Sequence, residues 1–226
     1  MSQPGEQTAP NDDPSATADR MLTLTDGVVA IAMTLLVLDL QIPPAFGPSV
    51  GDLWRVIAAR QSTFIAFFVA FWVIARLWME HHRLLRRVEA QSEHLMRRNF
   101  LFLLAICTVP FTTALMGAAG HNPLGVVLFS VNLILANLAL QWLAWTVERE
   151  GLLRRVPSPG ERLAARTRAV TLLVLCALPI ALAWVSPSLA QLSFLLVSGV
   201  ELPGRALQRR RDARAARAKT SSDSEF

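Results

Sequence analysis

Arg20, Thr23, Asp26 and Gly27 open the first long apolar run of the chain, RMLTLTDGVVAIAMTLLVLDL, residues 20–40. On a helix they share one side of the first two turns. A guanidinium and a carboxylate at the end of a membrane helix are costly unless paired, so Asp26 is expected to meet a cation or several hydrogen-bond donors. The chemistry this allows is ion pairing and hydrogen bonding. Nothing in the chain points to catalysis. It contains no Ser/His/Asp set, HExxH, GxxxxGK[ST] or GxSxG, and no paired acids deep in an apolar run. His81, His82 and His94 fall in or beside the first charged loop and His121 in a turn, and neither they nor the cysteines have metal-ligand spacing. Cys107 and Cys176 both lie in apolar runs and read as small buried apolar residues. No metal, cofactor or enzymatic activity is expected.

Composition says which elements must position these residues. Of 226 residues 53% are hydrophobic, and mean hydropathy is +0.39. The charges crowd into a few short segments, so the chain reads as an all-α integral membrane protein with one helical bundle. At about 1.5 Å per residue, residues 21–40 span roughly the 30 Å of a bilayer's hydrocarbon core. Residues 1–19 are polar, rich in Pro, Ser, Thr and Asp, and read as a disordered tail without a cleavable signal. QIPPAFGPSVGD cannot continue a helix, and residues 53–60 read as a short interfacial amphipathic piece anchored by Trp54. Further spans are expected over residues 62–79, 99–116 (with Pro110), 123–145 (with Asn132, Asn137 and Gln141), 169–185 and 189–202. That makes six, with one membrane bundle expected over 20–204 and a basic disordered tail over 205–226.

Charge tests the count independently. With both termini cytoplasmic, the inside segments hold nineteen of the 22 basic residues, leaving Arg55 and Arg60 outside and Arg76 within the second span. Such a bias fixes both termini inside and requires an even number of spans. A pI near 10.8 is therefore an insertion signal, with the arginine-rich tail resting against anionic lipid. No nucleic-acid partner is expected.

Steps of three and four from Gly27 reach Ile31, Thr34 or Leu35, and Leu38, an apolar stripe with one hydroxyl. Read from spacing alone, this face packs on a neighbouring helix, with Gly27 allowing close approach. A resemblance points elsewhere. RMLTLTDGVVAIAMTLLVLDL resembles the R-x-x-x-F-S-D-G-V signature of the endolysosomal potassium channel family, transmembrane protein 175, in its bacterial branch. The match covers Arg20, Asp26, Gly27 and Val28. Trp78 with His81 and His82 is similar to the family's tryptophan and histidine motif, and RRNFLFLL with Val109, Pro110 and Phe111 to its third helix. The motif's Phe-Ser is Leu24-Thr25 here, which loses an aromatic contact and keeps the hydroxyl.

The resemblance implies a passive channel in the cell membrane that prefers potassium to sodium. It implies a homotetramer whose first helices line a central pore. The family's aliphatic constriction falls on Ile31, with Thr34, Leu35 and Leu38 following along the path and Gly27 before it. Arg20, Thr25, Asp26, Trp78 and His81, with His82 as the alternative to His81, would form the hydrogen-bonded network that holds the pore helix. No TVGYG-like filter is present. Two other classes stay open from the residues: a proton-coupled secondary transporter using Asp26 and a non-conducting membrane scaffold. Against the transporter, the two halves show no inverted repeat or broken pair of spans.

Overall fold

A computed structural model describes residues 14–41, 47, 49–90, 92–118 and 122–196. It is helical throughout: α1 (Pro14–Leu35, tightening into a 3₁₀ turn over Leu36–Leu40), α2 (Val50–Ala59), α3 (Gln61–Leu85), α4 (Glu93–Cys107), α5 (Val109–Ala118), α6 (Pro123–Arg149), α7 (Pro159–Ala183) and α8 (Pro187–Ser193). Local sequence sets the starts. Ser49 and Asp52 form a capping box on α2, and Ser158 and Glu161 form another on α7. Ser92, Asn122 and Ser186 cap α4, α6 and α8 through their side-chain oxygens, the last two followed by a proline whose missing N–H costs nothing there. Beyond α6 the chain turns at Gly151, whose φ of 66° is left-handed. The turn lets residues after α3 and α6 meet in a single antiparallel bridge, Val88 to Leu153.

Among the described residues, five helical stretches are long and apolar enough to cross a membrane: Asp19–Leu40, Gln61–Leu85, Glu93–Ala118, Pro123–Arg149 and Pro159–Ala183. The run expected as a sixth span, 189–202, starts in α8 and is described only as far as residue 196. Its remainder, like the expected tail over 205–226, lies outside the described residues. Helix α1 starts at Pro14, within the segment expected as a polar tail.

Three boundaries differ from expectation, each for a local reason. Helix α3 continues through the charged residues to Leu85, because His82 and Arg83 in its last turn suit the negative end of the helix dipole. His81 and His82 therefore sit on a helix and not in a loop. The third span breaks at Thr108, since Pro110 has no N–H to give and its ring excludes the carbonyl one turn earlier. Helix α7 begins at Pro159, its capping box outweighing the arginines of its first turns.

Helix α6 is the spine, packed against α4, α5 and α7, while α3 packs on α5 and on the end of α1. Phe102, Phe129, Leu133, Ile106 and Leu143 fill the interior. Lipid gives helices no hydrophobic reason to associate, so close packing and side-chain hydrogen bonds must hold them. Gly117 shows the packing: a Cβ there would lie 3.1 Å from Thr63 Cα on α3. Asn132 shows the bonding. With its amide turned to satisfy both ends, it donates to Ala105 O (3.2 Å) and Thr108 Oγ1 (2.9 Å). It also accepts from Val109 N–H (3.2 Å), bracing the break beside Pro110.

Candidate functional site

Helix α1 has two unlike faces. Met21, Thr25, Val29, Ala32 and Leu36 are buried, at steps of four and three that make one continuous stripe against the bundle. Leu24, Gly27, Ile31, Thr34, Leu35 and Leu38 lie on the other side, and all of them are exposed. Ile31 is 60% exposed and Leu38 57%, so neither packs into the interior of its own subunit. A Cβ at Gly27 would meet nothing within 4 Å, so within one chain this glycine permits no close contact. The Thr34 hydroxyl donates to Ile31 O (2.8 Å), leaving its oxygen able to accept from outside.

The buried stripe is tied down by a polarised chain of hydrogen bonds. Thr25 Oγ1 donates to Met21 O (2.9 Å) on its own helix, so its oxygen is free to accept from Asn99 Nδ2 on α4 (3.0 Å). That orientation turns Asn99 Oδ1 toward His81 Nε2 on α3 (2.7 Å), which must then carry the hydrogen. Thr25, Asn99 and His81 are all buried, and the His81 ring stacks on Phe102 at 4.7 Å between centroids. One backbone carbonyl thus sets the direction of every bond across three helices.

A second tie lies closer to the surface. Trp78 Nε1 donates to Asp26 Oδ1 (2.7 Å), and His82 Nδ1 stands 3.9 Å from the same oxygen with its ring tilted against Trp78. So the structure gathers Thr25, Asp26, Trp78, His81 and His82 around one end of α1, on two separate ties. Arg20 is exposed and joins neither among the described residues. The member that sequence reasoning missed is Asn99. It stands directly after Arg97 and Arg98 at the head of the third apolar run, where an amide reads as an end residue and gives no signal of burial. No three His, Cys, Asp or Glu residues among those described are grouped to hold a metal ion.

The family model for the endosomal/lysosomal potassium channel TMEM175 matches residues 20–110, which hold all but the first six residues of α1, the whole of α3 and the paired residues above. A potassium channel of Streptomyces collinus is 36% identical over 157 residues, covering 66% of this chain and 74% of that protein. A potassium channel of Chamaesiphon minutus is 32% identical over 112 residues, 50% of this chain and 55% of that one. The mouse endosomal/lysosomal proton channel TMEM175 is 28% identical over 137 residues, 57% of this chain and 28% of its own length. The crystal structure of a lysosomal potassium-selective channel TMEM175 homolog from Chamaesiphon minutus superposes with a TM-score of 0.67. It has 22% identity and covers 83% of this chain and 97% of that one, so the two share a fold.

Proposed function

Since the chain belongs to the TMEM175 family of potassium channels, we propose that it passes potassium down its gradient, in preference to sodium, through a pore built by four copies of α1. The family consists of ion channels, not enzymes, and the apolar helices make the chain a multi-pass membrane protein. Our reading adds the cell membrane as its location, a sixth span beginning in α8, and both termini in the cytoplasm, where the basic residues concentrate.

The observation that carries the pore assignment is the uncovered face of α1, set opposite a buried stripe that anchors the same helix. Four such faces around an axis bring Ile31 side chains together as a hydrophobic collar, which stops ions by excluding water. Leu38 forms a second apolar ring, with Leu35 beside it. Between the two, Thr34 offers four hydroxyl oxygens to water or to a partly hydrated cation, and Gly27 widens the approach. Asp26 and Thr25 are held from behind by Trp78 and Asn99, so the start of α1 stays fixed while the collar opens by a small outward movement. Potassium is the permeant ion, and no cofactor takes part.

Bi-ionic potentials from purified protein in planar bilayers test this. Ile31→Ala is expected to give a leakier pore and Thr34→Ala a lower preference for potassium. Unchanged conductance and selectivity in both would place the pore elsewhere.

A further inference from the structure

Arg98 stands in the first turns of α4 and Arg149 closes α6, at the same end of two helices that pack on each other. The Arg98 guanidinium carbon lies 4.8 Å from the centre of the Trp142 ring and 5.4 Å from that of Trp145. Arg149 lies over the same Trp145 ring at 4.8 Å. Both indoles are about half exposed. Two guanidinium groups and two indole N–H groups thus share one patch, and among the described residues none of these side chains has a hydrogen-bond or ion-pair partner. The acids of the same helix ends are placed otherwise. Glu93 pairs with Arg97 (3.1 Å), Glu150 meets Ser92 and His94 (3.4 Å), and Glu148 lines the side of α6 toward α7. A guanidinium held over a ring keeps N–H groups available to an acceptor, already oriented. The patch continues into apolar surface. Leu128, Val131, Leu135, Leu138, Trp142 and Trp145 are all exposed at alternating steps of three and four, one stripe about 26 Å long on α6. Leu101, one turn along α4 from Arg98, is exposed too.

The geometry points to a site for one anionic phospholipid on this face of α4 and α6. Its phosphate accepts from Arg98 and Arg149 and from the indole N–H groups, and an acyl chain lies along Leu138, Leu135 and Leu101. Indoles favour the depth of the lipid head groups, where phosphate and hydrocarbon meet. A phosphodiester matches guanidinium donors in both charge and geometry, whereas a zwitterionic head group brings its own cation into competition. A free phosphate ester would answer the arginines and make no use of the apolar stripe. An acidic protein segment would answer the charge as well, yet an exposed stripe nearly as long as the hydrocarbon core suits a lipid chain. The site lies on helices other than α1, so it goes beyond the proposed pore and stands or falls separately from conduction.

Native mass spectrometry of delipidated full-length protein, titrated in detergent with phosphatidylglycerol or with phosphatidylcholine of the same chains, tests the proposal. The first phosphatidylglycerol per chain is expected to bind about tenfold more tightly than phosphatidylcholine. Glycerol 3-phosphate is expected not to displace it. Arg98→Gln and Arg149→Gln are each expected to lower the preference about threefold. Arg97→Gln, beside the site but paired with Glu93, is expected to leave it unchanged. Phosphatidylglycerol brominated on its chains is expected to quench tryptophan emission more in the parent protein than in Trp142→Leu/Trp145→Leu, which keeps every charge. Equal binding of the two lipids, full displacement by glycerol 3-phosphate, or a preference that survives loss of both arginines would each overturn the proposal. So would an Arg97→Gln loss as large as that of Arg98→Gln, which would mean a general charge effect. Equal quenching in the parent and the double tryptophan variant would mean that a protein segment and not lipid lies over the indoles, and would overturn it too.

Discussion

At the scale of single residues, the bonds that fix α1 differ in how much each should matter. Asn99 is buried and bonded on both sides, to Thr25 and to His81. Asn99→Leu strands a buried donor on His81 and removes the partner of Thr25, a loss of about 1–3 kcal/mol. Trp78→Phe removes one bond to Asp26, whose side chain is 41% exposed and can turn to water instead. That loss should stay nearer to 1 kcal/mol. Thermal unfolding of the solubilised protein is expected to rank Asn99→Leu as clearly the more damaging, and the reverse order would refute the assignment of Asn99 as the central tie. Asp26 was legible in the sequence because a carboxylate stands out in an apolar run, whereas Trp78 and the two histidines were reached only through the resemblance of their motif to a known family. Asn99 was not, because it follows two arginines and reads as the first residue of a span.

At the scale of elements, the sequence reading carried the third span straight through Pro110, and the structure shows both a break at Thr108 and what repairs it. The repair comes from another helix, since the Asn132 amide takes up Val109 N–H and Ala105 O where the helical ladder is interrupted. If that is its task, the two residues are coupled. Asn132→Leu should cost about 1–3 kcal/mol when Pro110 is present, by leaving buried backbone groups unpaired. In a Pro110→Ala background the backbone can close its own hydrogen bonds across the break, and the same substitution should cost much less. A double-mutant cycle on thermal stability is expected to show coupling of about 0.5–3 kcal/mol, whereas additive costs would remove Asn132 from the role of brace. The α3 boundary illustrates a related limit of sequence reading. A cluster such as EHHRLLRR looks like a loop by charge alone, yet cations at the end of a helix are where its dipole favours them. His81 then packs inside the bundle on a continued helix.

For the whole molecule, the question is what covers the outer face of α1. Lipid could cover Leu24, Ile31, Leu35 and Leu38 without penalty. It could not do so cheaply for the exposed Arg20 on the same helix, or for the half-exposed Asp26, whose carboxylate keeps acceptor sites that Trp78 does not fill, because charged groups at membrane depth need partners or water. The proposed water-containing axis shared by several copies would give these groups both, and it would leave the aliphatic residues to form a constriction. Nothing in a single sequence states a copy number. The exposed face shows only that α1 lacks a complete set of neighbours, so the number four rests on the family. The mass of the detergent-solubilised particle, corrected for bound detergent and lipid, is expected to equal four chains of 24.9 kDa. A cysteine placed at Gly27, where a Cβ meets nothing within one chain, should then crosslink between chains in that particle. A monomeric mass with no crosslink would mean that α1 faces lipid after all. Asp26 and Thr34 would then rely on the partners they have within one chain, Trp78 and the Ile31 carbonyl, and the pore would have to be sought within a single bundle.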